Sequence, residues 1–152
     1  MKNGLTPLWN DDDIAHWFDI FIDRAEEKIF KLLQRAGEVF VTYARNKGNY
    51  RDCTGNLRSS VGYVIVADGE ILAENFEASD KGVDRMKGLG KARQLASQIG
   101  NENPAGFFLI CLAGMEYAAT VEARGKDVIT CAVTATDEDL RKQIQTIFDK
   151  AT

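Results

Sequence analysis

Side chains able to perform acid–base chemistry are present in this sequence, but none of them stands in a catalytic spacing. His16 is the single histidine, and it can act as a general base only if another element brings a partner to it. We interpret His16 as a solvent-facing or boundary residue. The sequence contains no H-E-x-x-H, C-x-x-C or G-x-S-x-G motif. Four glutamates remain as acid–base candidates, and no spacing selects a pair among them: Glu74, Glu77, Glu116 and Glu122.

One glycine-containing segment partly matches a phosphate-binding loop. Residues Gly88–Lys91 read G-L-G-K. A P-loop needs a glycine five residues before the second glycine of this segment, and a Ser or Thr after the lysine. Those positions hold Arg85 and Ala92, so we interpret the segment as a flexible basic loop.

Cys53, Cys111 and Cys131 fit neither a zinc-binding spacing nor a disulfide framework. Cys111 and Cys131 lie within apolar runs, where a thiol packs as a small hydrophobe. We therefore expect no catalytic residue, no metal and no cofactor, and we predict that the chain is not an enzyme.

The charge balance argues against nucleic acid as the main partner. The net charge is −4, whereas tight nucleic-acid binding usually requires a basic surplus. Two local basic segments, 45–58 and 81–93, support the alternative of a small nucleic-acid-binding or regulatory module. The longest apolar run, 107–115, is far short of the roughly 20 residues that span a bilayer. We expect no membrane partner and no specific nucleic acid.

The strongest periodic signal predicts a long helix over Asp11–Arg45, capped by Asn10 and Asp13. Its apolar positions recur at alternating steps of four and three, as in a coiled-coil seam: Phe18, Ile22, Ala25, Ile29, Leu32, Ala36, Val39 and Tyr43. At about 1.5 Å per residue the helix is longer than a compact domain of this size. We therefore expect that it either breaks near Gly37 or projects and packs on something else. Trp17, Phe21 and Phe30 extend its apolar surface beyond this seam.

The rest of the sequence predicts a mainly antiparallel sheet. Asp68-Gly69 between two apolar runs, Val61–Ala67 and 71–78, is a strong hairpin signal. Further strands are predicted at Phe107–Ala113 and 128–133, with short helices at 90–99 and 117–123 and a loop at 79–89. A Thr-x-x-Asp capping box at Thr136 predicts a last helix through Lys150. The predicted fold class is α+β: a long N-terminal helix, a four-stranded sheet containing a hairpin, and a C-terminal helix packed on the sheet. Residues 1–10 are predicted to be flexible, and 11–152 to form a single domain.

Two segments carry a family resemblance. Thr54–Ser60 reads T-G-N-L-R-S-S and resembles the T-G-x-L-R-x-S segment of the tail-completion or head–tail joining proteins of tailed phages, the gene-product-ten-like minor tail components. Tyr117–Gly125 reads Y-A-A-T-V-E-A-R-G and resembles the Y-A-x-x-V-E-x-G segment of the same family. The matching positions are Thr54, Gly55, Leu57, Arg58, Ser60, Tyr117, Ala118, Val121, Glu122 and Gly125. The order of elements matches too, over roughly 11–150.

This resemblance implies a structural protein of the virion, made in the host cytoplasm and placed at the neck or the top of the tail. Its implied partners are identical subunits in a ring, such as a hexamer or dodecamer, and other neck and tail proteins. Assembly only on the growing particle also fits. The expected contact residues are Trp17, Phe21, Phe30, Arg58, Lys81, Arg85, Lys87 and Lys91. We also predict a structural contact between Arg58 and Glu122, within a subunit or across an interface.

Overall fold

The computed structural model of the chain describes residues 8–80 and 82–151. The elements follow the order α1 (Asp11–Lys47), α2 (Asn56–Ser59), β1 (Val61–Ala67), β2 (Glu70–Phe76), α3 (Arg85–Glu102), β3 (Phe107–Ala113), α4 (Ala118–Ala123) and α5 (Thr130–Ala151). The fold is α+β, with a long N-terminal helix, an antiparallel sheet and a C-terminal helix. Of the predicted flexible segment 1–10, residues 1–7 lie outside the described residues. No helix in the described ranges is long and apolar enough to cross a membrane.

Helix α1 begins at the predicted cap and continues without a break. The Asn10 side chain accepts a hydrogen bond from the Asp13 backbone amide at 2.8 Å, and the Asp13 carboxylate accepts one from the Asn10 amide. Gly37 does not interrupt the helix, because its role is steric: a Cβ there would lie 2.6 Å from the Tyr63 ring. The helix is therefore a single rod of about 55 Å. Of the two predicted alternatives, the break near Gly37 does not occur, and the first half of the rod extends beyond the core.

The sheet has three strands in the order β2-β1-β3, and both pairings are antiparallel. The predicted hairpin between β1 and β2 is confirmed. Asp68 and Gly69 have φ angles of 49° and 84°, which is the positive-φ pair that a tight two-residue hairpin turn requires. β1 is central and almost wholly buried.

The core lies on both faces of β1. Tyr63 and Ile65 pack against Val41 of α1, whereas Val64 and Val66 pack against α3. A further cluster joins α1 to the start of α5 and contains Phe40, Ala44, Leu57, Val61, Val128 and Ala132. Only the second half of α1 takes part in this core, since its buried residues all lie between Ala36 and Ala44.

The predicted fourth strand, Val128–Val133, is wrong. Thr130–Ala151 is helical, because the Glu122 carboxylate accepts hydrogen bonds from the backbone amides at the start of this helix. The predicted capping box at Thr136 is wrong for the same reason: Thr136 is buried inside α5, and its hydroxyl donates to the Ala132 carbonyl at 2.7 Å.

Helix α5 packs mainly along α1 and not on the sheet as predicted. Ala132 lies beside Phe40, and Arg35 donates to Asp139 at 3.4 Å. Moving forward along α5 thus corresponds to moving backward along α1, so the two helices run antiparallel. Helix α3 is also longer than predicted and includes the second half of the predicted loop 79–89.

Alanine substitutions of two phenylalanines test the unequal burial of the two halves of α1. Phe40 is 0% exposed and Phe21 is 69% exposed. We expect Phe40→Ala to lower the free energy of unfolding by about 3–5 kcal/mol, and Phe21→Ala to change it by less than about 0.5 kcal/mol. Urea unfolding at a protein concentration where the chain is monomeric measures both, and equal losses would contradict this division of the helix.

Candidate assembly surface

The N-terminal half of α1 carries a continuous set of exposed large apolar side chains. Trp17 is 62% exposed, and Phe21 is exposed to a similar extent, so both predicted contact residues are accessible. Their neighbours include Phe18 and Ile22, which belong to the apolar seam of the predicted helix and are 63% and 50% exposed. The exposed set comprises Trp9, Trp17, Phe18, Ile20, Phe21, Ile22 and Ile29. We call this set the α1 surface.

Part of the α1 surface is concave. Five side chains line an open apolar groove of about 600 Å³: Trp9, Ile14, Trp17, Phe18 and Phe21. Acidic residues outnumber basic ones around it along the helix: Asp11, Asp12, Asp13, Asp19, Asp23, Glu26 and Glu27 against Arg24, Lys28 and Lys31. A groove of this kind suits a partner that presents apolar anchors among basic residues.

The end of α5 adds exposed apolar side chains of its own. Ile144, Ile147 and Phe148 are 38–65% exposed. Since α5 runs antiparallel to α1, these residues lie toward the exposed end of α1. Phe30, a predicted contact residue, is half-buried and packs beside Tyr63 and Ile65, so less of its surface is accessible.

The segment Thr54–Ser60 of the first family motif is a structural junction. Gly55 has a φ of 78°, which suits glycine. The Asn56 side chain accepts a hydrogen bond from the Gly88 amide at 3.1 Å. Ser59 accepts one from the Ser79 amide, and Leu57 is buried in the core. The motif thereby connects the end of β2 and the start of α3 to the core.

Arg58 holds the junction against the end of α1. Its guanidinium donates to the Arg45 carbonyl at 2.9 Å and lies over the Tyr50 ring, 5.5 Å from the centroid. Its backbone amide donates to Asp52. Arg45 in turn donates to the Val61 carbonyl at 3.0 Å and to Glu77. Burial lowers the pKa of the Arg45 guanidinium below its usual range, against the opposing effect of Glu77.

A polar cleft of about 520 Å³ lies beside this junction. Its lining alternates basic and acidic groups: Arg45, Asn46, Asp52, Arg58, Glu77, Ala78, Ser79 and Asp80. The two arginines already donate to carbonyl groups of the chain, so they are engaged structurally. Within the described ranges, no group of three or more His, Cys, Asp and Glu side chains is placed to hold a metal ion.

Glu122 of the second family motif caps helix α5. Its carboxylate accepts hydrogen bonds from the backbone amides of Val128, Ile129 and Thr130 at 3.0, 2.6 and 2.9 Å, and from the Thr130 hydroxyl. A carboxylate in this position satisfies amides that have no partner within the helix and interacts favourably with the helix dipole. This cap is the reason that 128–133 does not become a strand.

The predicted contact between Arg58 and Glu122 does not form within the subunit, since Arg58 bonds to Arg45 and Glu122 to the start of α5. A contact between them across an interface stays a prediction. The other positions of the second motif have structural roles. Ala118 is buried beside Met115, and Val121 packs on the same cluster. Gly125 has a φ of 77°, which allows the turn after α4. Tyr117 is 40% exposed.

The basic residues of α3 are largely paired within the chain. Arg85 donates to the Ser79 carbonyl at 3.1 Å, Lys91 pairs with Glu116, and Arg93 pairs with Glu74 at 2.7 Å. Lys87 is exposed. Lys81, also a predicted contact residue, lies outside the described residues.

Because α3 lies close to the junction, alanine substitutions of two glycines in this helix should have opposite effects on the stability of the protein. A Cβ at Gly88 would lie 2.0 Å from the Asn56 carbonyl oxygen, whereas one at Gly90 would meet nothing within 4 Å. We expect Gly88→Ala to destabilise the protein by about 2 kcal/mol or more. Gly90→Ala should stabilise it by up to about 1 kcal/mol, because alanine favours the helix. Denaturant unfolding compares the two, and a tolerated Gly88→Ala would contradict the packing.

The cap of α5 predicts a pH-dependent stability. Burial raises the pKa of Glu122, but the hydrogen bonds from Thr130 and from the amides of Ile129 and Val128 outweigh it, so the pKa is lowered overall. A lowered pKa in the folded state means that the stabilisation is present above the unfolded value of about 4.3 and is lost as the pH falls through the folded value. Glu122→Ala should therefore cost about 1–2 kcal/mol at pH 7, and this cost should shrink below about pH 4.

Thermal unfolding at pH 7 and pH 3 measures this difference. Glu116→Ala is the matched control, because Glu116 also has a lowered pKa but pairs with Lys91 at an exposed position. Its removal should change stability little. A cost of Glu122→Ala that is the same at both pH values would contradict the role of the charged cap.

Comparison with known proteins adds no relative to this description. No protein-family model, no curated protein and no solved structure matches this chain. The resemblance to the phage family therefore depends mainly on the two quoted motifs, because the strand expected after the second motif is the start of helix α5.

Proposed function

We propose that this chain is a structural virion protein of a tailed phage or prophage, a tail-completion or head–tail joining component at the neck, and that it assembles through the α1 surface. The observation that carries the proposal is the exposure of Trp17, Phe18 and Phe21 on a helix end that lies beyond the core. Large exposed apolar patches mark interaction sites in soluble proteins. Identical subunits in a ring and adjacent neck and tail proteins are the proposed partners.

The energetic reason for assembly is the cost of leaving this surface in water. Covering apolar area gains roughly 25 cal/mol per Å², and aromatic side chains dominate the energetics of protein interfaces. Trp17 and Phe21 are therefore the proposed anchors. The acidic residues along the same helix end favour a basic rim on the partner.

The two motifs support the proposal through the fold. Thr54–Ser60 ties α3 and the end of β2 to the core, and Glu122 starts the helix that packs along α1. Both motifs thus stabilise the body that holds α1 in place. A family that shares them would share this support while varying the surfaces that contact its neighbours.

The alternative function, a nucleic-acid-binding module that uses segments 45–58 and 81–93, is less favoured. Arg45, Arg58 and Arg85 donate to backbone carbonyls of the chain, and Lys91 and Arg93 form ion pairs with glutamates. Each of these five cations would have to break an internal contact to bind a phosphate, whereas Lys47, Arg51 and Lys87 are exposed. DNA binding with a steep salt dependence would favour this alternative over the assembly role.

The proposal predicts the behaviour of charged substitutions on the α1 surface. In cells that produce the particle, loss of the chain should leave heads and tails unjoined in electron micrographs. The unaltered protein should restore joined particles, and a Trp17→Asp/Phe21→Asp double variant should not, because buried unpaired charges oppose association. Both side chains are exposed, so the thermal stability of the isolated variant should stay close to that of the unaltered protein.

Leu72→Asp is the matched control, because Leu72 is 49% exposed and lies outside both the α1 surface and the other predicted contact residues. This variant should restore joined particles fully. Joined particles in the absence of the chain, or full restoration by the double variant, would contradict the proposed function. Since assembly on the particle alone is compatible with the proposal, the particle assay is decisive and the mass of the isolated chain is not.

A further inference from the structure

Strand β3 is an edge strand whose outer side has no hydrogen-bonded strand beside it within residues 8–80 and 82–151. Its register against β1 determines which backbone amides and carbonyls of β3 face this open side. The Gly114 amide donates to the Ser60 carbonyl, and the Asp68 amide donates to the Gly106 carbonyl. Because hydrogen-bonded pairs alternate in an antiparallel ladder, the even-numbered residues of β3 bond to β1. The odd-numbered residues therefore direct their amides and carbonyls outward: Phe107, Leu109, Cys111 and Ala113.

These outward groups have no hydrogen-bond partner among the described parts of the chain. Seven consecutive uncharged residues, Phe107–Ala113, form the strand, and apart from Leu112 all of them are only half-buried. An open apolar edge of this kind is a template for pairing with another strand.

The opposite edge of the sheet is protected in the ways that natural proteins use. Strand β2 carries Glu70 and Glu74, and its register against β1 shifts at Leu72. Charges and bulges of this sort prevent pairing with another chain. The two edges of the sheet therefore differ: β2 carries charges and a bulge, whereas β3 has neither and can pair with another strand.

We propose that the open edge of β3 pairs with the same edge of a second copy, antiparallel and centred on Ile110. In this register Phe107 lies opposite Ala113, and Leu109 lies opposite Cys111. Every outward amide and carbonyl of both strands then finds a partner, which leaves no buried polar group unsatisfied. The two three-stranded sheets become one continuous sheet.

A second copy suits this edge because both paired strands would then be uncharged, so pairing leaves no unpaired charge in the interface. The same pairing would extend both faces of the core. Leu109 and Cys111 lie on the α1 side and Phe108 and Ile110 on the α3 side, and each half-buried side chain gains the matching side chain of the neighbour as cover. A contact between identical patches has a twofold axis, so it is independent of any head-to-tail contact made by the α1 surface.

Residue-resolved amide hydrogen exchange tests the pairing without any substitution. The amides of Phe108, Ile110 and Leu112 bond to β1, so they should be protected at every protein concentration. The amides of Leu109 and Cys111 should exchange fast in dilute solution and at least about tenfold more slowly once copies pair. Fast exchange of these two amides across the whole concentration range, up to the millimolar level, would overturn the proposal.

A charge exchange at Ile110 tests the register and the symmetry. Across the twofold axis Ile110 faces its own copy as a non-hydrogen-bonded pair, with the two Cβ atoms about 4.5–5.5 Å apart. Ile110→Lys alone and Ile110→Glu alone should each weaken self-association at least about tenfold, because like charges then meet. An equal mixture of the two variants should associate again, since each Lys then faces a Glu.

The same measurement on Leu72→Lys, at the exposed surface of the opposite edge, is the control and should leave self-association unchanged. Protection of the Phe108 and Leu112 amides reports whether each Ile110 variant is folded, and if neither folds, the exchange pattern of the unaltered protein decides. Association that is unaffected by either charge, or two folded variants whose mixture stays monomeric, would overturn the twofold pairing.

Discussion

The structure depends on how the second half of α1 is held against β1. Gly37 allows the Tyr63 ring to approach the helix backbone so closely that no Cβ would fit. The Tyr63 hydroxyl then donates to Glu38 at 2.7 Å, and Phe40 and Val41 continue the contact into the core. Because a helix is rigid over this length, holding its second half also fixes the direction of its first half. The sheet therefore determines where Trp17 and Phe21 are presented, although it touches neither.

The two motifs are best understood as support for this arrangement. Asn56 and Ser59 bind backbone groups from two other segments, and Glu122 binds the first amides of α5. Motifs of this kind indicate a fold, because their hydrogen bonds are internal and stabilise it. Residues that contact a partner need no fixed spacing along the sequence. That difference explains how a short sequence pattern can resemble a family although no family model matches the chain.

Much of the fold follows from local signals in the sequence. The apolar period and the Asn10 cap predicted α1, and Asp68-Gly69 predicted the hairpin, because in each case the deciding interactions lie within a few residues. Val128–Val133 was predicted incorrectly, because its β-branched residues favour a strand locally and the cap that overrides this preference comes from Glu122. The α1 surface was predicted only in part. Periodicity identifies an apolar face but does not say how much of it the core covers, so the sequence did not decide whether the core or another chain covers Phe18 and Ile22.

The unbroken course of α1 through Gly37 has a mechanical consequence. Trp17 lies thirteen residues before Phe30, the first residue of α1 that packs against the core, which places it about 20 Å beyond the held part of the helix. At that distance a tilt of about 5° moves Trp17 by about 2 Å, enough to disturb the fit of an aromatic anchor in its pocket. Small repacking beneath Tyr63 would thus be amplified at the tip. The close packing of Tyr63 against α1 therefore determines how precisely the protein positions Trp17 relative to a neighbouring molecule.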